Sequence, residues 1–235
     1  MRALLIQANQ AAADNLARLL IQDGWTVDPA DTCSEGLQMA RLCDYDIVLL
    51  DPDRLDQSGL GALNALRSAR VPTPVLMILR EADPDWKARA LFSGADDILT
   101  LPIHQGELLA RMAAIVRRSR GHASTRIEIG LLVVDTRAKI VQAHDRYLSL
   151  TAKEYVLLEL LAMRKGSVVS RDTILDHLYG GRDEPEVEII NVYISRLRRK
   201  ITEAGVDGRI LHTAWGRGFT LLEPAVVAAA PKMAA

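Results

Sequence analysis

Aromatic residues make up only 4% of this 235-residue chain. Its cores must therefore be packed by Val, Leu, Ile and Ala, and a hydrophobic content of 49% supplies enough of them. Cysteine is nearly absent. Cys33 and Cys43 are the only two, and their spacing excludes a disulfide framework or a zinc module. They read as buried thiols in a reducing compartment. No apolar run approaches the ~18 residues of a membrane span, and the N-terminus passes straight into Ala3-Leu4-Leu5-Ile6 with no room for a leader. A cytoplasmic protein without a membrane partner is the expectation. Neither sign of charge is in excess, with 29 Lys+Arg against 30 Asp+Glu, but the distribution is uneven. Up to Arg120 there are 13 cationic against 16 acidic residues, and beyond it 16 against 14. Net charge moves from −3 to +2, the direction that a nucleic-acid partner for the second half requires. The chain also lacks a nucleophile–base set and a glycine-rich phosphate loop, which argues against a metabolic enzyme.

What is present is organised in two parts, since 235 residues exceed the usual single-domain size. The first alternates short apolar runs (Ala3–Ile6, Thr26–Val27, Ile47–Leu50, Val75–Leu79, Ile98–Leu99) with amphipathic stretches (Asn15–Gln22, Gly36–Arg41, Gly59–Ala69, Trp86–Phe92, Glu107–Arg118). That alternation predicts βα units and a flavodoxin-like, doubly wound α/β domain over 1–118. Ligands of such sheets sit beyond the carboxyl ends of the strands, which singles out Gln7, Ala8, Asp51, Leu79 and Leu101. A polar, glycine-containing stretch over 119–125 is the linker candidate, followed by an α+β domain over 126–224 and an Ala-rich tail over 225–235 that reads as disordered. In the second domain Ile127–Asp135, Ile140–Gln142 and Tyr147–Leu150 read as antiparallel strands turning at Gly130 and at His144-Asp145. Thr151-Ala152-Lys153-Glu154 forms a capping box that opens a helix to about Arg164. Further helices are predicted over Arg171–Tyr179 and Glu186–Ala204, with a closing hairpin of Ile210–Thr213 and Gly218–Leu221.

Three helices between small β elements and a terminal hairpin describe a winged helix-turn-helix. In the third helix Ile190, Ile194, Leu197 and Ile201 recur at spacings of 4, 3 and 4 and mark the buried stripe. Arg196, Arg198, Arg199 and Lys200 lie off that stripe, beside Asn191, Tyr193 and Ser195. Cations suit phosphates, and fork-shaped or amide donors suit base edges. A solvated basic face is the alternative reading of the same helix.

The series Leu150-Thr151-Ala152-Lys153-Glu154-Tyr155, His177-Leu178-Tyr179-Gly180, Val192-Tyr193-Ile194-Ser195-Arg196-Leu197-Arg198 and Trp215-Gly216-Arg217-Gly218-Phe219 resembles the output domain of OmpR/PhoB-type response regulators. The resemblance extends over the chain up to Pro224, and Arg117–Ala123 and His177–Glu186 look like its alphaproteobacterial cell-cycle branch. It implies double-stranded DNA as a partner. Tyr193, Ser195, Arg196, Arg198 and Arg199 would serve the major-groove helix, and Thr213, Trp215 and Arg217 the wing. Trp215 could equally pack against its own hairpin. For the first half the resemblance implies a receiver with Asp51 at the phospho-acceptor position. Transfer to that carboxylate needs a Mg²⁺ held by oxygen ligands. Gln7 and Ala8 stand where receivers place an acidic pair, Leu79 where they place a hydroxyl, Leu101 where they place a lysine and Ile98 where they place a switch aromatic. Each missing electrostatic stabiliser commonly costs on the order of 10²–10³ in rate. The Mg²⁺ site is therefore expected to be lost, with no other cofactor. Asp51 is left with a structural role, slow phosphorylation or another signal as alternatives, and Asp53 and Asp56 read as loop residues.

The resemblance further implies a homodimer face made of Lys87, Arg89, Leu91, Asp96, Asp97, Glu107 and Arg111, in which Lys87 would pair with Glu107 and Asp97 with Arg111 across a two-fold axis. Intramolecular pairing is the alternative. Related regulators and RNA polymerase are further candidate partners. Three functions follow for comparison: a DNA-binding regulator independent of aspartyl phosphate, a conventional regulator switched at Asp51, and a module that heterodimerises with a related regulator.

Overall fold

The computed structural model describes residues 1–52, 57–80, 84–144, 146–180 and 185–224. The chain divides between Gly121 and His122 into two units. Asp53, Asp56, Asp145 and the tail from Ala225 lie outside the described residues.

The first unit runs β1 (Arg2–Gln7), α1 (Gln10–Gln22), β2 (Thr26–Ala30), α2 (Cys33–Leu42), β3 (Ile47–Asp51), α3 (Gln57–Ser68), β4 (Val75–Leu79), α4 (Pro84–Phe92), β5 (Asp97–Thr100) and α5 (Gln105–Ser119). The five strands are parallel in the order β2-β1-β3-β4-β5. The order reverses between β1 and β3, which is where a doubly wound sheet opens its ligand crevice. β3 and β4 are buried at every position, the pattern of central strands covered on both faces. Leu4, Ile6, Val48, Leu50, Met77 and Leu79 form one core layer with Leu63, Leu66 and Ala90 of the helices. The helices start where side chains satisfy orphan amides: Asn9 accepts from Ala12 N and Thr32 from Glu35 N. α2 lies so close to β1 that a Cβ on Gly36 would sit 2.4 Å from Ile6 Cδ1.

That early start of α2 corrects one expectation. Cys33 is its first residue and is exposed, and Cys43, just past its end, is only half-buried. The start of α2 leaves Cys33 at the surface, while Cys43 packs only partly against the core.

The second unit opens with a four-stranded antiparallel meander, β6 (Arg126–Ile129), β7 (Leu132–Asp135), β8 (Ile140–Ala143) and β9 (Arg146–Tyr147). The stretch 127–135 is thus two strands, folded at Gly130 with φ +58°. Helices α6 (Ala152–Met163), α7 (Arg171–Tyr179) and α8 (Ile189–Glu203) follow. A 3-10 turn at Gly208–Ile210 then leads into the hairpin of β10 (Leu211–Ala214) and β11 (Gly218–Leu221). The capping box at Thr151 and Glu154 forms as the sequence predicts. The ordered helix α8 begins three residues later than its predicted start at Glu186, because residues 186–188 form a turn whose carbonyls accept from Ile189, Ile190 and Asn191. Its stripe of Ile190, Ile194, Leu197 and Ile201 is buried. The hairpin is stitched to the segment before α7 by paired backbone bonds between Val169 and Phe219 of 2.8 and 2.9 Å. Gly218 is obligatory there, since φ is +137° and a Cβ would lie 2.0 Å from Val169 O.

Candidate functional site

The parallel register sets Gln7 of β1 directly beside Asp51 of β3. Both are buried, at 2% and 8% exposure. Gln7 Nε2 donates to Asp51 Oδ2, and Gln7 Oε1 accepts from Asn9 N at 2.7 Å. A backbone N–H can only donate, so the second bond fixes which end of the amide is oxygen. The amine end faces the carboxylate and the oxygen faces away from it. Of the remaining pocket positions, Ala8 is exposed, Leu79 is fully buried and Leu101 is half-buried, and none offers a ligand atom on its side chain. The described residues hold no cluster of three His, Cys, Asp or Glu that could bind a metal ion. With the Gln7 N–H pointing at the Asp51 carboxylate, these donors among the described residues do not fit a hard dication, which requires oxygen ligands. Sequence reasoning missed Asn9, although an Asn before an Ala-rich helix start is a recognisable cap.

On the α4–β5–α5 side the expected charges are mostly bound within the unit. Arg111 donates to Asp97 Oδ2 at 2.8 Å and to Glu107 Oε1 at 2.9 Å, and these two carboxylates push its guanidinium above its ordinary range. Asp96 Oδ2 accepts from Arg67 at 2.9 Å and from Val75 N at 2.8 Å. The Asp97–Arg111 pair is therefore formed inside one protomer, and Asp96 braces the β4 entry. Lys87 is half-buried and Arg89 exposed. Leu91 is 49% and Phe92 93% exposed, so α4 ends in an apolar pair of which only Leu91 was singled out. A groove of about 600 Å³ is lined by residues of β5 and α5 that include Asp97, Glu107, Ala110, Arg111 and Ala114.

In the second unit α8 turns Asn191, Ser195, Arg196 and Arg199 to solvent. Arg199 makes a loose pair with Glu203 at 3.6 Å. Tyr193 is half-buried and shares a 3.0 Å hydroxyl bond with Tyr179, which pushes the Tyr179 phenol up to about 12. Lys153 sits over the Tyr179 ring at 4.0 Å. Trp215 at the hairpin tip is 80% exposed, which decides against its packing on the hairpin. Arg217 is exposed beside it and Thr213 is half-buried. Arg198 departs from the expected outward-facing role. Its Nε and Nη2 donate to Leu211 O at 2.8 and 2.7 Å, and Nη2 also donates to Thr213 Oγ1 at 2.7 Å. At the base of the domain, Lys200 bonds the buried Glu154 at 2.7 Å. Burial pushes that carboxyl up, but Lys200 and the Thr151 cap outweigh it and hold Glu154 below its usual range.

A doubly wound receiver sheet followed by a winged helix-turn-helix defines a DNA-binding response regulator. The comparisons agree on both halves. Residues 3–113 match the response regulator receiver domain, and residues 145–221 match the C-terminal domain of transcriptional regulatory proteins. The chain is 41% identical over 95% of its length to the cell cycle transcriptional regulator CtrA of Caulobacter vibrioides, 97% of which is covered. It is 44% identical, with the same coverage, to the cell cycle response regulator CtrA of Brucella ovis. Among solved structures, the response regulator DrrB of Thermotoga maritima, an OmpR/PhoB homologue, aligns at 24% identity and a TM-score of 0.43 over 94% of this chain and 98% of its own. The chain belongs to the OmpR/PhoB-type response regulators and is CtrA-like. It is a transcriptional regulator and not an enzyme. Among the described residues no helix is long and apolar enough to cross a membrane.

Proposed function

We propose that this regulator controls transcription without aspartyl phosphate, its receiver serving as a dimerisation module. The observation that carries this reading is the Gln7 amide donating to the Asp51 carboxylate, with its orientation fixed by Asn9 N. In-line transfer of a phosphoryl group depends on cationic neutralisation of the acceptor and the moving oxygens. Here the acceptor already carries a neutral donor from its own protein, and leucines stand at two of the positions where charge or a hydroxyl is required. Restoring rate would need several stabilisers, each worth on the order of 10²–10³.

Dimerisation through the α4–β5–α5 face would then rest on apolar contact at Leu91 and Phe92, since Arg111 is already engaged by Asp97 and Glu107 and exposed ion pairs contribute little. Two output domains joined in this way reach paired half-sites without a phosphate signal. The likeness to CtrA supports cell-cycle genes as targets, with input through protein level or a partner protein. The test is DNA affinity and oligomeric state of the full chain and of Asp51→Ala, each with and without a small phosphoryl donor plus Mg²⁺. Four equal affinities and one oligomeric state are expected. Donor-dependent tightening that disappears in Asp51→Ala would overturn the proposal in favour of a conventional switch.

A further inference from the structure

We propose that Arg198 is a positioning residue that ties the wing to the recognition helix, so that the two elements engage DNA as one unit. Its guanidinium reaches from the middle of α8 to the first and third residues of β10. It bonds the Leu211 carbonyl through two nitrogens and the Thr213 hydroxyl through one of them. Only a planar fork can make those bonds together; a lysine carries the same charge but not the geometry. The contact is reinforced from the helix side. Thr202 Oγ1 donates to Arg198 O at 2.8 Å. The turn that feeds β10 is pressed against the same place, so that a Cβ on Gly208 would lie 2.8 Å from Arg198 O and 2.7 Å from Thr202 Oγ1.

The far side of the hairpin has its own anchor. Val169 and Phe219 exchange backbone bonds, and the Arg171 guanidinium lies 5.0 Å from the centre of the Phe219 ring. The two strands, of four residues each, are therefore held at one flank by Val169 and at the other by Arg198. Trp215 and Arg217 project immediately beyond the Arg198 anchor, at the exposed tip. Removing that anchor leaves the tip free to swing about the Val169–Phe219 side, away from the register it keeps with Arg196 and Arg199. A residue that merely touched a phosphate would act independently of Arg217. A tether makes the contribution of Arg217 depend on Arg198.

That dependence is measurable as a double-mutant cycle on the full chain. The probe is a duplex selected by the wild-type protein from a random-sequence pool, with affinities read across a KCl series and thermal unfolding as a folding control. In the wild-type background Arg217→Ala is expected to lower the salt slope by about 0.9, the loss of one phosphate contact. Arg198→Lys, although it conserves charge, is expected to lower the slope by a similar amount. Adding Arg217→Ala to Arg198→Lys should then change almost nothing, so that the affinity losses fall short of their product by at least about threefold. Thr213→Val, which deletes one of the bonds, should move in the same direction with smaller amplitude. Losses that multiply, or an Arg198→Lys protein that binds with the wild-type slope, would overturn the proposal. If Arg198→Lys fails to fold, the same cycle on Thr213→Val decides, and additivity there overturns it.

Discussion

Replacing Gln7 by Leu removes an amide from the acceptor pocket while nearly preserving its volume. Two bonds disappear: the one from Nε2 to the Asp51 carboxylate and the one from Asn9 N to Oε1. A hydrogen bond to a charged group contributes about 1.5–3 kcal/mol and a neutral one about 1 kcal/mol. Gln7 and Asp51 are both buried, so water does not freely replace the bond between them. Some of the loss is offset by the added apolar contact, leaving a net destabilisation of about 2 kcal/mol. For a unit of this size that corresponds to a fall in Tm of roughly 8 °C. Trp25 and Trp86 are both buried in the receiver, whereas Trp215 stands exposed on the wing, so the change in tryptophan emission during unfolding follows mainly the receiver. The sign is what discriminates. In a pocket crowded with carboxylates, an apolar replacement relieves repulsion and stabilises; here it strands a partner and destabilises. Added Mg²⁺ gives the complementary reading. A site with a Kd near 1 mM would gain about 1.4 kcal/mol at 10 mM cation, and no such gain is expected. A Gln7→Leu protein at least as stable as the wild type, or a wild-type Tm that rises with Mg²⁺, would refute the reasoning.

Other expectations concern the output domain. Glu154→Gln should destabilise it by on the order of 2 kcal/mol in denaturant unfolding, because Lys200 loses the buried charge it pairs with even though the amide oxygen can still accept from Thr151 N. The Glu154 carboxyl is held below its ordinary value of 4.5 in the folded protein. Its contribution is therefore full at neutral pH, declines as pH drops below that ordinary value, and is lost as pH falls through the lowered folded value. The glutamine variant should lack this acid-side component. Gly218→Ala forces a Cβ into Val169 O at a positive φ and should cost more than about 3 kcal/mol, abolishing DNA binding along with the wing. Arg196→Ala should lower affinity for a selected duplex by about 1–3 kcal/mol and relax preference at one base pair, as read by competition with single-base variants.

Much of this architecture is written in hydrophobic period. The apolar runs at Val75–Leu79 and Ile47–Leu50 are buried central strands, and the 4-3-4 spacing of Ile190, Ile194, Leu197 and Ile201 marks the inner face of α8. Thr151 and Glu154 announce a helix start by side-chain chemistry alone, and the structure contains their capping box. What escaped the sequence depends on atoms distant along the chain. The amide orientation of Gln7 needs both the β1–β3 register and the Asn9 backbone. Arg198 shows the helical spacing of an outward cation, yet its length carries the guanidinium sideways onto β10, a contact that periodicity does not encode. The usual burial of cysteine predicts an inner position for Cys33, whereas α2 begins three residues before the predicted Gly36 and leaves it at an exposed helix end. Arg111 shows the same limit for charges: matching signs on neighbouring elements do not reveal whether the pair closes within a protomer or between two.

The most direct test of a receiver that works without aspartyl phosphate is the intact mass of the full chain after incubation with a small phosphoryl donor and Mg²⁺. An ordinary receiver serves as the labelled control and Asp51→Ala as the blank. The Gln7–Asp51 geometry leads to an unchanged mass while the control gains one phosphoryl group. A gain of one phosphoryl group that is absent from Asp51→Ala would contradict it and return Asp51 to the role of a conventional switch.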